Sequence, residues 1–191
     1  MLDYKLALSV LAIAAGFIGY VLYFRNILSG KTKPHFFSWF VWAVITGIAF
    51  AAQVFGNGGY GSFVMGFTAL ACVIIASLAL FKGKRDFPIF DWLCLMSAFA
   101  SIGLWIYTKN PVSSIVLITI VEVFAFMPTF RKGYFKPHEE TAATFALSGF
   151  SFLLSLFALD RFTVITALYP GALVAMDGLF VIMLLIRRKM V

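Results

Sequence analysis

The chain has 191 residues, 62% of them hydrophobic and only 12% charged, with a mean hydropathy of +0.99. That balance leaves too little polar surface for a water-soluble domain and points to an integral membrane protein. A net charge of +7 would suit nucleic acid in a soluble chain, but here the basic residues stand in short segments between apolar runs and read as topology signals, so the expected partner is the lipid bilayer and not nucleic acid.

A helix needs about 20 apolar residues to cross about 30 Å of hydrocarbon. Seven stretches approach that length, at 5–26, 36–56, 60–82, 88–108, 111–131, 139–159 and 164–187. The first contains Ala12-Ile13-Ala14, a small-x-small sequence like a cleavage site, but the apolar stretch before it is short and the run continues to Phe24. A retained transmembrane helix is expected. The second carries Gln53 near its end and is followed by Asn57 in the Gly56-Asn57-Gly58-Gly59 turn. These two are candidates to line a cavity from its outer vestibule, with ordinary interhelical hydrogen bonds as the alternative. Cys72 in the third stretch and Cys94 in the fourth have no CxxC partner and read as structural thiols. Asp91 near the start of the fourth stretch, and Glu139 and Glu140 opening the sixth, suit the positive end of a helix dipole. Turn chemistry separates the runs: Ser29-Gly30 and Lys33-Pro34, Lys82-Gly83 to Pro88, Asn110-Pro111, Gly133 with Lys136-Pro137, and Asp160-Arg161. No loop is long enough for a soluble domain, so residues 1–191 form one membrane domain.

With seven spans, alternate loops share a side, and twelve of the 15 Lys and Arg residues then fall on one side. The positive-inside rule places the N-terminus outside and the C-terminus in the cytoplasm of a cell or inner membrane. An even number of spans would destroy this separation. Trp39, Trp42 and Trp92 near the cytoplasmic ends, and Trp105 near the outer end, fit interfacial belts.

The chain also repeats itself. Tyr23-Phe24-Arg25 followed by Lys33-Pro34-His35 returns as Thr129-Phe130-Arg131 followed by Lys136-Pro137-His138, closing helix 1 and opening helix 2 in the first instance, closing helix 5 and opening helix 6 in the second. Helices 3 and 7 align with Gly66 over Gly171. The expected fold class is therefore an all-α integral membrane protein of seven transmembrane helices, built as two parallel three-helix repeats (5–82 and 111–187) joined by helix 4 (88–108). This 3+1+3 layout, with a proline motif at the cytoplasmic end of helix 5, resembles the PQ-loop and SWEET superfamily of small-molecule transporters, and the layout of PnuC-like vitamin-precursor transporters as well. Pro128-Thr129 stands where that family has Pro-Gln, and Leu22-Tyr23 is the helix 1 counterpart. The resemblance implies a central substrate cavity faced by a helix 7 residue near Asp177.

Two acids stand in mid-span, Glu122 in helix 5 and Asp177 in helix 7, and no Lys or Arg lies within the apolar core of any span to neutralise them. An ionised acid at the bilayer centre costs about 2.5–3.5 kcal/mol on insertion scales, so the pair calls for a polar cavity or a bound proton. Either a substrate or proton site, or a structural hydrogen bond between helices 5 and 7, accounts for them. Pro128, six residues past Glu122, and Pro170, seven before Asp177, each remove a helical donor and permit a bend, as hinge or as tolerated kink. Thr129 and Tyr169 are polar candidates for cavity lining beside these bends. His35 and His138 have no supporting ligands, so no metal or other cofactor is expected. A Ser-His-Asp set, HExxH and a phosphate loop are all missing, which argues against an enzyme.

The expected function is alternating-access transport of a small polar or cationic solute, with protons as a candidate coupling ion. The acids disfavour an anionic substrate. An uncoupled sugar or nucleoside facilitator and a non-transporting receptor or assembly protein are the alternatives. Two repeats in one chain can enclose a pathway alone, and a homo-oligomer is compatible with the sequence.

Overall fold

The computed structural model describes residues 4–83, 89–108 and 110–190. Lys84, Arg85 and Lys109, which count in the division of basic residues, together with Pro88 and the side chains of Asp91, Cys94 and Trp105, lie outside the described residues.

Helices satisfy the backbone of long apolar runs internally, and helices are what form. Among the described residues there are α1 (Tyr4–Leu28), α2 (Phe36–Phe55), α3 (Ser62–Lys82), α4 (Ile89–Thr108), α5 (Pro111–Phe135), α6 (Ala142–Phe157) and α7 (Val164–Met190), with single 3-10 turns at Gly59–Gly61 and Pro137–Glu139 and no β-strand. Helices α1, α2, α3, α5 and α7 are long and apolar enough to cross a membrane, while α6 has 16 residues. Leu11, Phe17, Leu70, Phe81, Ile120 and Leu185 are exposed on the outer faces. Hydrocarbon, not water, suits such a surface. The protein is all-α and has the helices of a membrane protein.

Local chemistry sets the helix ends. Asn110 caps α5, its side-chain oxygen accepting from the N–H of Val112 at 2.9 Å and of Ser113 at 3.4 Å, with Pro111 at the first helical position. Helix α2 ends in a Schellman motif: Gly58 N–H donates to Gln53 O at 2.8 Å and Asn57 N–H to Val54 O at 3.1 Å, around Asn57 at φ 54°. Residues Gly56 to Gly61 spell G-x-G-x-x-G, but they follow a helix instead of a strand and so lack the context that binds a dinucleotide. Gly59 also has a positive φ of 64°, and a Cβ there would run into the Asp160 carboxyl. Gly59→Ala is therefore expected to destabilise by at least about 1–2 kcal/mol, the cost of left-handed backbone for an L-residue. A thermal midpoint equal to wild type would contradict this.

Two boundaries differ from the sequence reading. Helix α5 runs on to Phe135 because Gly133 is a contact glycine and not a stop: the Phe180 ring of α7 lies so close that a Cβ would stand 2.7 Å from its Cε2. Helix α6 begins only at Ala142, because Pro137–Glu139 form a 3-10 turn and Glu140 is extended.

Helix packing closes a ring. Helix α1 lies between α3 and α6, α3 between α1 and α2, α2 between α3 and α5, α5 between α2 and α7, and α7 between α5 and α6. Helix α4 packs outside this ring, mainly on α5. Aromatic side chains fill much of the interior. Trp39 and Trp42 meet edge-on with centroids 5.0 Å apart, Trp42 reaches Phe126 at 4.9 Å, and Phe145 and Phe180 are 4.5 Å apart. For Trp39 and Trp42 this corrects the expectation of an interfacial belt: they are only 4% and 5% exposed, because the closed ring has an interior that their large rings fill. Trp92 is half exposed, with its ring against Phe37.

Candidate functional site

A small central cavity lies inside the ring. Its volume is ≈ 30 Å³, the space open to the centres of water molecules, which is room for about two waters. Every ring helix contributes to the wall: Tyr20 from α1, Trp39, Trp42 and Thr46 from α2, Thr68 and Cys72 from α3, Glu122 and Phe126 from α5, Thr144, Phe145, Ser148 and Phe152 from α6, and Leu173 and Asp177 from α7.

Glu122 and Asp177, the two acids singled out in the sequence, thus face one cavity from neighbouring helices. Both are buried, at 0% and 3% exposure. Tyr169 Oη donates to Glu122 Oε2 at 2.9 Å, a hydrogen bond between α7 and α5. The Trp42 indole N–H lies beside the same carboxyl without closing a bond of standard geometry, so Trp42 Nε1 and Glu122 Oε1 both lack a partner. Ser148 sits within hydrogen-bonding reach of Asp177 and of Tyr20, and Asp177 Oδ2 has no partner. Among the described residues no Lys or Arg lines the cavity.

Not every candidate reaches this place. Tyr169 stands behind Glu122 and supports it without lining the cavity. Thr129 is buried nearer the end of α5, where its hydroxyl donates to Ser38 Oγ of α2 at 3.1 Å. Gln53 is buried at the other end and donates to the backbone oxygen of Thr166 at 2.8 Å, joining α2 to α7. Asn57 is exposed on the turn after α2 and lines a surface hollow, away from the central cavity, with Tyr60 and Asp160. Pro128 and Pro170 are both buried, and α5 and α7 continue through them. Tyr169→Phe would leave both oxygens of a buried carboxyl without a protein donor. A loss of about 1–3 kcal/mol is expected, to be read from the unfolding midpoint in detergent, where an unchanged midpoint would count against the bond.

No protein-family model, curated protein or solved structure matches this chain. The site therefore rests on its own geometry.

That geometry includes a buried charge pair which the sequence did not announce. Lys132, in the last turn of α5, donates to Glu140 Oε1 at 2.6 Å, and to the backbone oxygens of Lys33 at 2.5 Å and Glu139 at 3.2 Å. The Tyr23 hydroxyl donates to Glu140 Oε2 at 3.3 Å and accepts from Trp39 Nε1 at 3.2 Å. Burial pushes the Glu140 carboxyl above its ordinary value, and the adjacent ammonium of Lys132 opposes that push. Glu140 is thus not the helix cap that its position suggested: the N-cap of α6 is Thr141, with no side-chain capping bond, and Glu140 holds α5 to α1. Thr141 in turn meets Asn26 at 2.9 Å and Thr32 at 2.8 Å. At the opposite end, Lys5 pairs with Asp160 at 3.0 Å and Asp160 N–H donates to Gly58 O at 3.2 Å.

Also missed were Tyr20, Thr68, Cys72 and Ser148 as cavity residues. One signal was present in the sequence: the repeat lays Asp177 over Cys72, and both line the cavity.

Proposed function

We propose that the protein is a membrane transporter that moves a small polar or cationic solute by alternating access through the central cavity, with protons as the candidate coupling ion. The observation that carries this reading is the pair of carboxyls, Glu122 and Asp177, that face one cavity at the centre of a helix ring, each with an oxygen lacking a hydrogen-bond partner. Nothing in the packing of a purely structural bundle calls for two acids with open oxygens at that depth.

The neighbour order of the helices supports the repeat. The first half packs as α1–α3–α2 and the second as α5–α7–α6, so the two halves meet along α1 with α6 and α2 with α5. Two equivalent three-helix units joined by α4 account for that order, as does the resemblance to the PQ-loop and SWEET superfamily. Rocking of one unit against the other would open either end, and the hydrogen bonds tying the halves at both ends fit such motion. In this reading Pro128 and Pro170 permit bending beside the acids. The N-terminus is outside, from the twelve-to-three division of basic residues.

The test is solute flux, with internal pH recorded, in liposomes holding the purified protein and offered cationic and neutral solutes. Flux of at least one solute, absent from protein-free liposomes, is expected. Failure of every solute would favour a receptor or assembly role.

A further inference from the structure

We propose that the ligand of the central cavity is a small organic ammonium ion, whose N–H groups donate to Glu122 Oε1 and Asp177 Oδ2 while its hydrocarbon part lies against Trp42 and Phe126. The inference rests on the reading of this cavity as the solute site. It narrows the solute by asking which polar atoms of the wall are still available to a ligand.

Most hydroxyls of the wall are already engaged. Thr46 donates to Trp42 O at 2.5 Å and Thr144 to Gly19 O at 2.9 Å, while Thr68 and Ser148 are within hydrogen-bonding reach of Tyr20. What remains are two carboxyl acceptors, Glu122 Oε1 and Asp177 Oδ2, and the Trp42 indole donor beside one of them. A sugar, which presents donors and acceptors around its whole perimeter, would leave many of its groups unmatched here, and each unmatched polar group is costly when buried. Anions are repelled by the acids.

Metal cations fit no better. Among the described residues Cys72, Glu122 and Asp177 share the wall but form no group of three His, Cys, Asp or Glu side chains placed to hold a metal ion, and much of the wall consists of aromatic rings. The Trp42 and Phe126 rings stand 4.9 Å apart at an interplanar angle of 59° beside Glu122. Ring faces attract an ammonium electrostatically and tolerate alkyl groups, whereas a bare metal ion would have to give up its hydration shell to reach them. Donors on nitrogen, a positive charge and a short apolar body are the complement of this wall. The present volume of ≈ 30 Å³ admits only the smallest such ion without rearrangement. Larger ones, propylammonium among them, require the wall side chains to give way.

The experiment is titration of the purified wild-type protein in detergent with n-propylammonium, n-propanol and glucose, followed by tryptophan emission and calorimetry. Propylammonium is expected to bind and propanol and glucose to bind at least tenfold more weakly. Glu122→Gln and Asp177→Asn should each weaken propylammonium at least tenfold. Trp42→Phe, which keeps a ring, should stay within about threefold, whereas Trp42→Leu should lose about tenfold, between the values for an exposed and a fully desolvated cation–π contact. Equal binding of propanol or glucose by the wild type, or unchanged propylammonium affinity in both acid variants, would overturn the proposal. Liposome flux separates the two readings. Glucose flux lost in Glu122→Gln would retain transport and reject the ammonium class, and propylammonium binding without any flux would retain the class and reject transport.

Discussion

Glu140→Ala is expected to lower the stability of the folded protein by about 3–5 kcal/mol, the usual consequence of removing one member of a buried ion pair. Lys132 would be left 5% exposed, with only the carbonyls of Lys33 and Glu139 around its ammonium, and Tyr23 would lose its acceptor. The attraction within the pair is not what is lost, because much of it is offset by desolvation of both charges. What is lost is the compensation of a charge that remains buried. A double variant, Lys132→Met with Glu140→Leu, should therefore be closer to wild type than either single change. Unfolding in mixed micelles measures all three. If Glu140→Ala stayed within about 1 kcal/mol of wild type, well under the range for a broken buried pair, the pair would not be holding the helices together.

Glu122→Gln and Asp177→Asn should reduce solute flux in liposomes at least tenfold while leaving the unfolding midpoint nearly unchanged. Glutamine keeps the volume of Glu122 and an oxygen for the Tyr169 hydroxyl, so the α5–α7 bond is preserved and only the ionisable group is removed. Asparagine does the same at Asp177 beside Ser148. A tenfold effect corresponds to about 1.4 kcal/mol of lost stabilisation along the transport path. Variants that are as stable as wild type and still carry solute at the wild-type rate would show that the acids serve packing alone.

The helices were legible because length and turn chemistry act locally. Asn110-Pro111 starts α5 and the Gly56-Asn57-Gly58-Gly59 turn ends α2 where the residues indicate. Gly133 misled because its chemistry permits either a stop or a close contact, and the Phe180 ring of a distant helix makes it a contact. The tryptophans misled for a related reason. An indole suits an interface and a packed interior equally well, and only the closure of the ring put Trp42 inside. Glu140 opens a helical run in sequence, but its partner Lys132 becomes visible only once α5 is extended to Phe135 and the chain turns back at Pro137.

Composition and spacing by themselves determined an all-α protein with helices long and apolar enough to cross a membrane and an acid in the middle of two of them, because helix length, hydropathy and position along a run are properties of one segment and not of its neighbours. The tertiary structure decided that Glu122 and Asp177 share a cavity, that aromatic rings wall it, and which polar atoms are left open to a ligand. Those properties arise from the order in which six helices close into a ring. That order depends on shape and hydrogen bonding between segments more than a hundred residues apart, as in the bonds of Ser151 to Ala12 and of Thr144 to Gly19.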